Sequence, residues 1–315
     1  MALPFLGRNA SVGIGAESTP GTRVTVTNFR PPISLEGGRN PEFKRRPNLR
    51  TAGTGVNMPV GFYQASEMPA GRFQIEATYE NIGMWLKAAF GDLATSGSGP
   101  YTHLFTLGEL EAYSLEYVRG NASNSEIFGG VKFGKTSFKA APGGLLLIDV
   151  DWMGMNGASR TTPTSVSYGS GDTPIRAFKS GQFTWNSVSY DLDDIEISID
   201  HGLQARPYLG ALTSREYAPG EIRVMARGTV EYSADTLYTA LVAGTQADGS
   251  LAFTDSASLS LTFALQNGYL TKVSEPVQSH GVIKQQWEME LIGDTGGDKG
   301  LTASLVNGNS SGTAN

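Results

Sequence analysis

The chain contains no cysteine, so it has neither a disulfide framework nor a thiolate metal site. Charged residues are scarce, at 17% of 315, and no helix-rich Ala/Glu/Lys/Leu/Arg bias accompanies them. No apolar run approaches the roughly 18 residues of a membrane-spanning helix. Histidine occurs three times, at His103, His201 and His280, with no paired spacing of the kind that grips a metal. The zinc-protease signature His-Glu-x-x-His is missing. Met-Ala-Leu-Pro-Phe-Leu-Gly-Arg at the start lacks a basic segment followed by an apolar one, so no secretory signal is expected and synthesis in a cytoplasm is the simplest expectation. Positive charge is sparse too. The formal net charge of −6 argues against gripping the outside of a nucleic acid duplex.

What is present is glycine, 40 residues of it, and alternation. Both favour an all-β, turn-rich protein, and the length suits two domains with their own cores. The strongest signal is that the chain repeats itself. Gly71–Phe90 has a counterpart at Gly220–Leu241: Thr78 matches Thr229, Glu80 matches Glu231, Leu86 matches Leu237 and Ala89 matches Ala240, without a gap. Each block reads as a half-buried strand running into a short helix. Phe73, Ile75, Ala77 and Tyr79 alternate with polar residues, as do Val224, Ala226, Gly228 and Val230. Asn81 and Ser233 are the expected helix caps, and Gly91 suits the first helix's stop. Further on, Leu259, Leu261, Phe263 and Leu265 answer Tyr113, Leu115 and Tyr117, and Trp287–Gly293 answers Ile148–Gly154 position by position. A one-residue slip would invert every side chain, so this shared parity supports duplication.

The expected organisation is an extended N-terminal arm (1–28), a first domain (29–154), a linker without apolar period (155–175), a second domain (176–295) and a flexible, Gly/Ser/Asn-rich tail (296–315). Two long excursions interrupt the copies. Gly37–Met58 carries Lys44, Arg45, Arg46 and Arg50, the one basic cluster. Gly202–Tyr217, which holds Arg206 and Tyr208, has no such cluster. Loops this long in a compact domain ask for an explanation. A solvated loop and a contact surface for an acidic partner or neighbouring subunit are both open readings for the cluster.

Residues able to do chemistry are better read as structural. Each histidine stands alone and fits a loop or strand end. Trp152, Trp287, Phe183 and Trp185 sit at alternating strand positions and fit a core better than a sugar-stacking platform. Asp191, Asp193 and Asp194 lack the twelve-residue calcium loop and read as a solvated turn. Asp149/Asp151 and Glu288/Glu290 lie about 7 Å apart on a strand face. Paired carboxylates can hydrolyse glycosides, but a pair at the same place in both copies suits a shared surface role. No catalytic, cofactor-binding or metal-binding residue is expected.

Several segments in one order resemble the tail tube proteins of long-tailed, non-contractile bacteriophages: Gly15-Ala-Glu-Ser-Thr-Pro-Gly-Thr22, Pro100-Tyr-Thr-His-Leu-Phe-Thr106, Phe128-Gly-Gly-Val-Lys-Phe133, and the run from Phe183 through Ile195–Gly202 to the helix near Leu237. The resemblance implies two tandem β-sandwich or barrel tube domains, each with one short flanking α-helix, in a structural virion protein rather than an enzyme. It implies homotrimeric, pseudo-hexameric rings stacked into a hollow tube, with the tape measure, tail terminator and baseplate or tip proteins as partners. Viral DNA would pass through the lumen without specific binding, and no membrane or cofactor is involved. Lys44, Arg45, Arg46, Arg50, Arg206 and Tyr208 are then the expected inter-subunit or inter-ring contacts. The competing reading is a glycan-binding adhesin module of a tail tip, which exposure of Trp152, Trp185 or Tyr208 in one groove would favour.

Overall fold

A computed structural model describes residues 7–46, 61–120, 125–160, 164–169, 171–177, 181–232, 234–276 and 282–313. The first half contributes β1 (Ser11–Ala16), β2 (Asn28–Arg30), β3 (Pro32–Gly38), β4 (Pro41–Arg45), β5 (Phe62–Glu67), β6 (Ala70–Glu76), helix α1 (Gly83–Phe90), β7 (Gly91–Ser96), β8 (Tyr101–Leu107), β9 (Tyr113–Val118), β10 (Ser125–Ala140), β11 (Leu147–Met153) and β12 (Asn156–Arg160). The second half contributes β13 (Gly181–Trp185), β14 (Val188–Tyr190), β15 (Leu192–Asp200), β16 (Gln204–Ala205), β17 (Tyr217–Ala218), β18 (Arg223–Glu231), helix α2 (Thr236–Ala243), β19 (Gln246–Ser256), β20 (Leu259–Ser274), β21 (Lys284–Leu291) and β22 (Leu301–Asn307). The protein is all-β with two short helices among the described residues.

The strand pairings recur. The order β2–β1–β9–β10–β12 in the first half is repeated as β14–β13–β19–β20–β22 in the second. The order β3–β6–β11–β10 is repeated as β15–β18–β21–β20. In each half a 16-residue strand, β10 or β20, belongs to both sheets. β10 turns from one sheet to the other near Gly129 and Gly130, where its register against β9 breaks and Gly130 adopts φ 65°. β20 does so at Asn267, with φ 53°.

Two ladders join the halves. β10 pairs β15 from Lys135↔Asp200 to Ala140↔Ile195. The hairpin β7–β8, which has no counterpart in the second half, adds its β8 to β22. The strands wrap a common core like a barrel, yet among the described residues the ladders do not close, since no pairing there joins β3 to β20.

Alternation explains the core. Phe73, Ile75, Ile148, Val150, Trp152, Phe138, Ile197, Ile199, Val224, Ala226 and Met289 point to the buried side of the sheet. Burying each large apolar side chain contributes about 1.5–3 kcal/mol. Phe73 meets Trp85 edge-on at 5.4 Å and Phe183 stacks on Trp287 at 5.2 Å. The indole N–H of Trp85 donates to Asn28 Oδ1 at 2.9 Å, so its one polar atom is satisfied.

Several expectations are corrected. Asn81 does not cap α1: Ile82 holds the N-cap position with no side-chain bond, and Asn81 Nδ2 instead donates to the Gly171 carbonyl at 2.9 Å. Ser233 lies outside the described residues, and Asp235 holds the N-cap position of α2. Within 1–28, β1 is a buried strand between β2 and β9 rather than an arm. Within 155–175, β12 pairs β10, and Pro174 bridges Thr78. The 296–315 segment contains β22, whose Leu301, Ala303 and Leu305 are fully buried. In each case a long-range ladder orders a segment whose composition reads as loose. The closing strands also align two residues away from the sequence match. Phe73 faces Val150 and its repeat mate Val224 faces Leu291, so Leu291 corresponds to Val150, not Trp152. A two-residue shift keeps the parity, which is why the pattern alone does not expose it.

Candidate assembly surfaces

The central sheet runs β3–β6–β11–β10–β15–β18–β21–β20, two like sets of four strands in tandem. Its second face is polar, and the charges on it interlock across the strands. Glu196 accepts from Arg227 at 2.5 Å and lies 3.9 Å from Lys139, which also pairs with Asp149. Arg223 meets Glu290 at 3.0 Å and Arg72 meets Asp151 at 3.7 Å. Gln74 Nε2 donates to Asp149 Oδ1 at 2.8 Å. The paired carboxylates Asp149/Asp151 are thus held by cations and an amide. At the sheet's two ends, β3 has β6 as its strand partner, and β20 from Leu270 to Ser274 has β21; the outer edge of each takes no strand among the described residues.

The two excursions leave the same end of this sheet as hairpins. β4 pairs β5, carrying Lys44, Arg45 and the following Arg46 outward. Lys44 meets Glu42 at 3.4 Å, and Phe43, Phe62 and Tyr63 are exposed beside them. β16 pairs β17, and beyond it Arg206 meets Glu216 at 2.6 Å while Tyr208 and Leu209 stand in solvent. The Glu67 N–H donates to the Leu212 carbonyl at 2.7 Å, which ties one excursion to the other. Lys44, Arg45, Arg46, Arg206 and Tyr208 therefore lie on neighbouring projections. Arg50 lies outside the described residues.

The sequence profile of phage tail tube proteins matches residues 7–305. The chain belongs to the phage tail tube family. No curated protein matches it. Membership makes it a structural protein of the virion tail and implies a non-enzymatic role. It suggests self-assembly into a tube with other tail proteins as partners.

The chemistry-bearing residues of this tail tube protein have structural partners. His103 is buried; its Nε2 lies 3.1 Å from Asn307 Oδ1 and 3.0 Å from the Asn309 carbonyl. Both are acceptors, so Nε2 carries the proton and Nδ1 accepts from the Thr95 hydroxyl at 2.9 Å. His201 Nε2 donates to the Ala89 carbonyl at 2.8 Å, and burial pushes its pKa below the ordinary value. His280 lies outside the described residues. Trp152 and Trp185 are each 1% exposed and fill the core, so with Tyr208 on a distant projection no aromatic groove of the three exists. Asp193 meets Lys284 at 2.5 Å. Among the described residues no cluster suits a metal ion, and no helix is long and apolar enough to cross a membrane.

Sequence reasoning misses Glu17. Its carboxylate accepts from the Gly21 N–H at 2.7 Å, the Ser114 hydroxyl at 2.7 Å and the Gly130 N–H at 3.0 Å. It thereby fixes the turn after β1 to the bend of β10. A signal exists: Glu17 and Gly21 are the Glu and Gly of the Gly15–Thr22 motif. Their spacing puts a carboxylate within reach of a turn amide, a local pattern that leaves the distant donor at Gly130 unspecified.

Proposed function

We propose that this protein builds the hollow tail tube through which the viral genome leaves the particle. Three chains close a ring of pseudo-six-fold symmetry, and rings stack. The observation that carries this reading is the central sheet: two like four-stranded sets in tandem, with an open edge at each end. Adding β3 of one chain to the open edge of β20 in another repeats the kind of ladder that β15 already forms with β10. Such closure removes two edges that would otherwise invite uncontrolled pairing.

The polar face then lines the lumen. Arg72, Lys139, Arg223 and Arg227 are each engaged by a carboxylate, so they have little free charge to offer passing phosphates. DNA would adhere weakly to these four cations because carboxylates already engage them. The Lys44–Arg46 and Arg206 projections make ring-to-ring contacts, and the tape measure, tail terminator and baseplate or tip proteins meet the tube at its axis and ends. The chain would be made in the host bacterial cytoplasm and end in the virion.

Negative-stain microscopy of the purified protein should show rings or tubes. Deleting Lys44–Arg50 should leave a folded protein, by circular dichroism, that makes no tubes. Normal tubes from that deletion would remove the projection from the assembly scheme, and dispersed monomers at every concentration of the intact protein would count against the tube itself.

A further inference from the structure

The two helices occupy matching places in the two halves, but they are not equally covered. α1 buries Gly83, Trp85, Leu86, Ala88, Ala89 and Phe90, whereas α2 buries Leu237 and Ala240 alone. On α2, Tyr238 is 51% and Val242 71% exposed. The helix Thr236–Ala243 carries no charged side chain, so covering it strips no ion of water.

First-half strands pack most of α1, and the half that follows it in the chain adds a second set of contacts. His201, just past β15, donates to the Ala89 carbonyl in the last turn of α1. At the end of β22 Asn307 Nδ2 donates to the Tyr79 carbonyl at 2.9 Å, and just beyond it Asn309 Nδ2 donates to the Glu80 carbonyl at 2.7 Å, ahead of the helix. The Gly312 carbonyl presses on Gly83 so closely that a Cβ there would lie 1.8 Å from its oxygen. Within these 315 residues the second half has no following half to cover α2 in this way. The repeat mates of β15 and β22 are β3 and β12, and each has an outer edge without a strand partner among the described residues.

We propose that the exposed face of α2 is the seat of a second copy of this chain, covered by the β12 side of that copy as α1 is covered by the β22 side of its own second half. The proposal rests on the ring reading above and assigns it an interface. The chain carries a worked example of its own joint, and the partner that completes α2 is the one whose β3 extends β20. The hairpin β7–β8, which also packs on α1, has no counterpart beside α2. Tyr238 and Val242 match Lys87 and Gly91, places that Glu111 and the β7–β8 side of the first half cover on α1, so the copy seated on α2 has this uncovered strip to fill as well.

The test compares the intact full-length protein with the double variant Tyr238→Glu/Val242→Glu. Oligomer size is followed by light scattering against concentration, and shape by negative-stain microscopy. Both side chains are exposed in the single chain, so the variant should keep the wild-type melting temperature. Ring formation should require at least about tenfold more protein, since two carboxylates would be trapped against an apolar seat. Because the chain lacks cysteine, the variant Val242→Cys/Ser159→Cys treated with a bismaleimide gives a second readout. Chain-to-chain ladders on a denaturing gel, absent from either single variant, are expected. Rings from the charged variant at wild-type concentrations, or no ladder from the paired cysteines in formed rings, would overturn the α2 seat while leaving the ring intact. A wild-type protein that never leaves the monomer would overturn the ring reading and this interface with it.

Discussion

Leu305→Ala puts a number on the demand that the last strand makes. Leu305 is fully buried on β22, opposite Leu261 on β20 and His103 on β8, both also fully buried. With ladders on both sides the site has little freedom to collapse, so the cavity persists. Truncating a buried leucine costs about 2–5 kcal/mol in such places. At about 2.1 cal/mol/K per residue, the 315 residues give an unfolding entropy of roughly 0.7 kcal/mol/K if they melt together. The expected fall in Tm is then about 3–7 °C by scanning calorimetry. The control is Leu209→Ala, the same chemistry at a fully exposed position, which should stay within about 0.5 kcal/mol of wild type. A flexible tail would make the two variants alike. If Leu305→Ala melts no lower than Leu209→Ala, the C-terminal segment is not part of the core and the reasoning fails.

Two further outcomes follow from polar groups removed wholly or partly from solvent. Glu17→Gln leaves one acceptor oxygen where the carboxylate offers two to Ser114, Gly21 and Gly130. Losing a hydrogen bond to a charged group costs about 1.5–3 kcal/mol, read as a lower urea midpoint, and an unchanged midpoint would mean that the turn holds without it. His201 is kept neutral by burial, so its folded pKa lies below the ordinary value near 6.5. The unfolded chain binds the proton first. Its contribution is therefore present above about pH 6.5 and lost as pH falls below that value. His201→Asn should flatten the decline of stability between about pH 6.5 and 5, and equal slopes for variant and wild type would rule the histidine out as its source.

The strands and helices with clear alternation are legible in the amino-acid order itself. Phe73–Tyr79, Tyr113–Tyr117, Ile195–Ile199 and Leu259–Leu265 all show their buried side in the sequence, because a half-buried strand writes its geometry at period two. The helix near Leu86 and its twin near Leu237 are legible through their three-four spacing. What local pattern does not supply is partnership. Leu301-Thr-Ala-Ser-Leu-Val-Asn307 also alternates, but it sits in a Gly/Ser/Asn-rich stretch, and its burial depends on β20 and on β8, a strand of the first half. Asn81 has the chemistry of a cap, yet the linker backbone at Gly171 competes for its amide and wins. The basic cluster at Lys44–Arg46 is visible as charge, whereas its setting on a hairpin tied to the second excursion through Leu212 is not. The open edges of β3 and β20 are beyond reach of any pattern, since an edge is defined by a partner that is missing.

The long strand β10 has a consequence for how the chain comes apart. Its first half is laddered by β9 and β12, its second half by β11 and β15, so four strands from both halves of the chain hold one 16-residue segment. Freeing either half means stripping β10 along one of its edges and leaving the other half with a torn sheet. Gene duplication often yields units that melt separately. Here the duplicated halves share a spine, and the chain should behave as a single cooperative unit that either holds both halves or loses both.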